Sequence, residues 1–201
     1  FSFPTIYRVS LTMLTDEQIE INKDEIISLL RSIKREGVDN VIDYLIKSNF
    51  FYIHSSIHRH HNWRGGLAEH SLGVYNIAKN DADGLPRDSV IIAALLHDIC
   101  KARMLKLDFN GNPVRRKIHI FGHGRRSVKI IEDVCHFILT DDERRAIRWH
   151  MGGKHAHSYD LHDVKIARHS KLWKIVNAAD RQDAAKGWRK CKPNVYNSMG
   201  V

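Results

Sequence analysis

The chain has 201 residues, 43% of them hydrophobic, which fits one domain with a real core and excludes a disordered or fibrous polypeptide. Net charge is +9, which argues for an anionic partner such as a nucleotide or nucleic acid, or simply for a well-solvated surface. Three widely spaced cysteines, Cys100, Cys135 and Cys191, exclude a disulfide framework and point to the cytoplasm, and the longest apolar run, Val90 to Leu96, is too short to span a membrane.

Phe1-Ser2-Phe3-Pro4 shows no basic region followed by an apolar core, so no signal peptide is expected, and residues 1–14 read as an irregular arm. Thr15-Asp16-Glu17-Gln18 reads as a capping box opening a helix to about Arg35. Gly37 stops that helix, and Asp39 caps a second, short one ending near Asn49. A polar segment, His58 to Gly66, precedes a helix over about 67–80. After the loop at 81–86, an apolar helix over about 87–102 carries His97-Asp98. Leu105 to Phe109 alternates, and Asn110-Gly111 is a hairpin signal, so a small β-hairpin is expected near residues 105–118. Gly122-His123-Gly124 opens a helix through Phe137, and Thr140-Asp141-Asp142-Glu143 is a capping box for a helix that contains Trp149 and His150. A histidine-rich loop at 154–162 leads to a final long helix over about 163–187, and residues 188–201 read as a basic tail.

His97-Asp98 closes an apolar run, so an imidazole and a carboxylate are carried towards the interior. A buried carboxylate needs a partner, and a metal ion is an economical one for adjacent His and Asp. His70, His123, His150 and Asp180 also stand beside apolar residues, four of the five segments being helical. That pattern suits a helical bundle with side chains converging on ions in its core. Four histidines and two aspartates exceed what one tetrahedral ion needs, whereas two ions bridged by Asp98 use them all. Asp183, one turn past Asp180, is placed to support the set through a hydrogen bond or a water. Arg148 is expected to be solvated or salt-bridged, and Arg125 and Arg126 to lie at a solvated helix start. His155 and His157 either line an entrance or supply a replacement for His150.

The ordered series His70, His97-Asp98, Asp180 resembles the HD-domain superfamily of metal-dependent phosphohydrolases, and His123 and His150 fall where two-metal members carry extra histidines. The stretch His60-His61-Asn62-Trp63-Arg64-Gly65-Gly66-Leu67-Ala68-Glu69-His70-Ser71-Leu72 is similar to the HD segment of YhaM-type 3′→5′ exoribonucleases. Gly122 to Ser127 and Ile147 to Gly152 resemble a bacterial and phage-associated HD hydrolase group. The resemblance covers roughly residues 45–185, and Cys100 departs from it by standing where many members have Gly.

The resemblance implies an all-α HD-domain bundle with the small hairpin inserted, as a single domain over residues 1–201. It implies one or two divalent ions (Fe, Mn, Mg, Zn or Ni) held by His70, His97, Asp98, His123, His150 and Asp180. Asp98 and Lys101 take catalytic roles, and His60, His61, Arg64 and Lys101 contact substrate. The implied function is hydrolysis of a phosphomonoester or phosphodiester, a nucleotide or nucleic-acid end, by metal-activated water. The partner is then a phosphorylated small molecule or nucleic acid, with no membrane and the oligomeric state open. The alternatives are a 3′→5′ exonuclease on single strands and a non-catalytic, metal-containing binding or regulatory module.

Overall fold

The computed structural model describes residues 14–107, 113–115, 122–154 and 156–191. Helix α1, Asp16–Arg31, is started by Thr15, whose hydroxyl accepts from Gln18 N at 3.1 Å. The expected capping box is only half formed: the Gln18 side chain donates forward to Asn22 Oδ1, not back to the cap. Helix α2 spans Val38–Lys47. It begins at Gly37, which is left-handed and backs onto the His136 carbonyl, where a Cβ would sit 2.8 Å from the oxygen. Asp39 therefore lies inside the first turn, facing the helix's positive end, and is not the cap expected from sequence. Phe50 and Phe51 follow as a fully buried edge-to-face pair.

Helix α3, Gly66–Ala78, packs against α4, Arg87–Leu96, and against the last helix. Residues Val90 to Leu96 of α4 are all buried, as the unbroken apolar run requires. The helix stops at Leu96, short of the expected end near 102. The backbone tightens there into i→i+3 turns, Ile99 N to Leu96 O and Lys101 N to Asp98 O, before a short helix α5, Lys101–Met104. The turn lets His97 and Asp98 project to one place, which consecutive residues of a regular helix do not do.

The expected hairpin is present as β1, Leu105–Leu107, antiparallel to β2, Pro113–Arg115, with Leu105 opposite Arg115. Its Asn110-Gly111 turn lies outside the described residues. Helix α6, His123–Lys129, continues into a π-helical turn, Ile130–Val134. Helix α7, Asp141–Arg148, carries the complete capping box expected of Thr140 and Glu143. It ends two residues before His150, which sits in the following turn. Glu143 is fully buried and also bonds Arg35 Nη1 at 2.6 Å and Ser89 Oγ at 2.7 Å, tying α7 to the α1–α2 connection and to α4.

The expected single helix over 163–187 is two: α8, Leu161–His169, and α9, Lys171–Cys191. Ser170 is extended, and its Oγ accepts from Trp173 N at 3.1 Å, a serine cap inside an otherwise continuous helical pattern. Helix α9 also runs beyond 187 into the expected tail, where Lys190 reaches Glu69 Oε1 at 3.1 Å. The architecture is all-α, with α3, α4, α7 and α9 around one core. No described helix is long and apolar enough to cross a membrane.

Candidate metal centre

Five pieces of the chain deliver the candidate ligands to one point: α3 (His70), the turn after α4 (His97, Asp98), the first residue of α6 (His123), the turn after α7 (His150) and α9 (Asp180). Asp98 stands between two groups. Its Oδ2 is 3.3 Å from His97 Nε2 and 3.9 Å from His70 Nε2, while its Oδ1 is 3.6 Å from both His123 Nε2 and His150 Nε2. Asp180 Oδ1 completes the first group, 3.2 Å from His70 Nε2 and 4.0 Å from His97 Nε2. In the second group, His123 Nε2 and His150 Nε2 are 3.0 Å apart.

The imidazoles are aimed from behind. His97 Nδ1 donates to Ala94 O at 2.8 Å and His150 Nδ1 to Ile147 O at 2.7 Å, so in both rings Nε2 faces the centre as an acceptor. His70 Nδ1 bonds Asp183 Oδ2 at 2.7 Å. Asp183 comes so close because residue 73, one turn after His70, is Gly: a Cβ there would lie 2.1 Å from Asp183 Oδ1.

The electrostatics point to a missing positive charge. Two buried carboxylates, Asp98 and Asp180, share the ammonium of Lys101, whose Nζ is 2.5 Å from Asp98 Oδ2, and a third, Asp183, is bonded to His70. Burial pushes the Asp98 carboxyl up, but Lys101 and His97 outweigh it and hold it well below the usual carboxylate range. Asp180 is likewise held down, by His70 and His97 against burial. Burial pushes His70 down, but hydrogen bonds to Asp180 and Asp183 win and hold it up at about 9. His150 goes the other way, to about 3, through burial and the neighbouring His123. His97 Nε2 and Asp98 Oδ1 are buried without a hydrogen-bond partner among the described residues, and His70 Nε2 meets only the Asp180 carboxylate, at 3.2 Å. Each such atom costs about 1–3 kcal/mol. A divalent cation answers both the orphaned acceptors and the excess negative charge, so the residues fit one. Donor atoms of His70, His97 and Asp180 lie within 4.8 Å of one another, as do those of His97, Asp98 and His150.

The HD domain family model matches residues 67–185, a span that holds every one of these candidate ligands. The chain belongs to the HD domain family. Over 55 residues this HD chain is also 46% identical to a dihydroneopterin 2′,3′-cyclic phosphate phosphodiesterase of Methanocaldococcus jannaschii. That stretch is 23% of this chain and only 22% of the relative's own length. No solved structure matches the chain.

Around the HD centre, the other residues singled out in the sequence fall into two sets. His60 and His61 are brought to it, with ring centroids 4.7 and 5.2 Å from His70 and their Nδ1 atoms facing each other at 3.2 Å. Burial and the neighbouring His70 push both imidazoles down to about 3. Arg64, expected to contact substrate, is not brought there: its guanidinium pairs with Asp16 and lies over the Tyr52 ring. Arg148 is salt-bridged to Asp160 at 2.6 Å, and Arg125, expected at a solvated helix start, binds the same carboxylate at 2.7 Å. His157 stacks on Tyr159, so the second group uses His150 itself, and His155 lies outside the described residues. Sequence reasoning missed Ser55, buried beside Lys101 with its Oγ 3.4 Å from Nζ, because nothing in its spacing marks it.

Proposed function

We propose that this HD chain is a metal-dependent phosphohydrolase. His70, His97, Asp98 and Asp180 hold one divalent ion, and Asp98, His123 and His150 hold a second. The observation that carries the reading is Asp98: its two oxygens face two separate sets of imidazoles, with Oδ1 orphaned. A divalent ion bound there supplies Lewis acidity and a water acidic enough to be a nucleophile near neutral pH. The chain's own residues do the rest. Asp183, Ala94 O and Ile147 O fix the three ring orientations. Lys101, with its side chain 19% exposed, holds its ammonium beside Asp98 and pairs with phosphoryl oxygens as charge builds on them. His60 and His61 border the His70 side and offer ring nitrogens to the phosphate or leaving oxygen.

The substrate is a phosphomonoester or phosphodiester, a nucleotide or a nucleic-acid end. The phosphodiesterase named above supports a phosphodiester of a small molecule, and the net charge of +9 supports an anion. Cys100 and Cys135, buried free thiols, fit a reducing cytoplasm.

Elemental analysis of wild type and Asp98→Ala, with turnover of bis-p-nitrophenyl phosphate in the same samples, tests the reading. About two ions per chain, lost together with activity in the variant, is the expected result. About one ion with activity would leave His123 and His150 as substrate contacts. Equal metal in both proteins with no turnover would reduce the chain to a binding module.

A further inference from the structure

Beside the metal centre, a cleft of about 360 Å³ opens between the turn after α7 and the α8–α9 corner, and both His150 and Asp180 reach its wall. The turn is held by three side chains. Trp173 Nε1 donates to Trp149 O at 2.7 Å, Asn177 Nδ2 donates to His150 O, and Arg168 Nη2 donates to Gly152 O at 2.8 Å. Those bonds use up the indole N–H but leave one amide N–H on Asn177 and the rest of the Arg168 guanidinium facing the cleft. Trp173 offers only the carbon surface of its indole, and Met151, 61% exposed on the opposite element, offers a thioether. Asn177 keeps its Oδ1 as an acceptor, and Arg181, next in the chain to Asp180, makes no hydrogen bond or ion pair among the described residues.

An aromatic carbon surface, a thioether, an amide acceptor and an unpaired guanidinium, all joined to the phosphoryl site, match one kind of molecule. The geometry points to this cleft as the subsite for the organic part of the substrate: a planar nitrogen heterocycle on a phosphorylated sugar. The ring lies against Trp173 and Met151 with an N–H to Asn177 Oδ1, and Arg181 pairs with an anionic group outside the metal centre. This deepens the phosphohydrolase reading and rests on it for the position of the scissile phosphate. A mononucleotide and the end of a strand share this chemistry.

Titration calorimetry on the full chain, metal-loaded and in EDTA, with AMP, ribose 5-phosphate and the dinucleotide pApA tests the inference. The wild type is expected to bind AMP at least about tenfold more tightly than ribose 5-phosphate. Met151→Ala lowers that ratio several-fold, and Arg181→Ala lowers the affinity for pApA, whose second phosphate lies outside the metal centre, by about tenfold, with circular dichroism verifying the fold of each. Tighter binding of pApA than AMP identifies a strand end, and equal binding a mononucleotide. Equal affinity for AMP and ribose 5-phosphate, or no measurable AMP binding, overturns the subsite. So does a pair of folded variants that bind like wild type. Turnover of bis-p-nitrophenyl phosphate in the same samples separates the two ideas. An AMP preference without turnover sinks the hydrolase and leaves the subsite; turnover without the preference does the reverse.

Discussion

Gly73→Ala puts a methyl group where the support for His70 stands. The new Cβ would lie 2.1 Å from Asp183 Oδ1 and 2.6 Å from its Cγ, so α3 and α9 cannot both stay and the carboxylate must leave. Two terms compete. Ala in place of Gly inside a helix is worth about 1 kcal/mol in favour of folding. Against it stand the overlap, about 1–3 kcal/mol in a packed interior, and the charge-assisted bond to His70 Nδ1, about 1.5–3 kcal/mol. The balance is a loss of about 1.5–5 kcal/mol, or roughly 3–20 °C in Tm at ~2–4 °C per kcal/mol for a chain of this size. With His70 no longer oriented, divalent-metal affinity should fall about 10–100-fold. Thermal melts in EDTA and chelator competition for the metal read the two effects separately. The decisive control is the same change in an Asp183→Ala background, where the clash is absent and the helix term alone should make Gly73→Ala neutral or stabilising. If Gly73→Ala raises Tm in the otherwise wild-type chain and leaves metal affinity intact, Asp183 is not what aims His70.

Glu143→Ala strips a fully buried carboxylate from Arg35, Ser89 and the Thr140 cap; because Arg35 is 26% exposed and can rehydrate, we expect a loss near the low end of the buried-pair range, about 3 kcal/mol by urea denaturation, and a change below about 1 kcal/mol would refute it. Lys101→Ala should cut kcat on a phosphoester by about 10²-fold or more, while Arg64→Ala should stay within about twofold, since Arg64 only pairs with exposed Asp16; equal losses would reinstate Arg64 as a substrate contact. The metal-free protein should lose stability as pH falls below 6.5. His60, His61 and His150, each near 3 when folded, stay neutral while the unfolded chain takes up protons, costing about 1–2 kcal/mol apiece at pH 5. His70 has the opposite sign: held at about 9, it contributes stability that is fully present below 6.5 and lost as pH rises through 9, so Tm in EDTA should peak between these limits, and a flat Tm from pH 7.5 to 5 would contradict the reading.

How much of this was legible in the sequence follows from the range of the forces involved. Periodicity reports burial of a helix face, so α1, α3, α4 and α7 were readable, as was the hairpin from its Asn-Gly turn. Local hydrogen bonds that interrupt a periodic pattern were not. Ser170 splits α8 from α9 by capping Trp173, and the i→i+3 turn at His97 ends α4, in stretches whose apolar spacing runs on unbroken. The Thr140–Glu143 box was visible because both partners are three residues apart; that Glu143 also binds Arg35 and Ser89 was not, because those partners are distant in the chain. Asp183 and the six candidate ligands could be named from order and type. Arg64 could not be placed, because beside glycines a charged side chain turns to whichever neighbour α1 offers, here Asp16.

The centre itself divides between local and long-range contacts. His97 and His150 both spend Nδ1 on a carbonyl three residues back, Ala94 and Ile147, so each ring is fixed by its own helix end and needs no distant partner. His70 sits mid-helix, where backbone carbonyls are already engaged, and its Nδ1 must be satisfied from another element. Asp183 supplies that partner, and only a glycine at 73 lets α9 approach closely enough. Two ligands are thus set locally and one by helix packing. A perturbation of the α3–α9 contact should therefore reach the group formed by His70, His97 and Asp180 before it reaches His123 and His150. The two halves of the centre, joined through Asp98 and the contact of the His97 and His150 rings, are held by different parts of the fold.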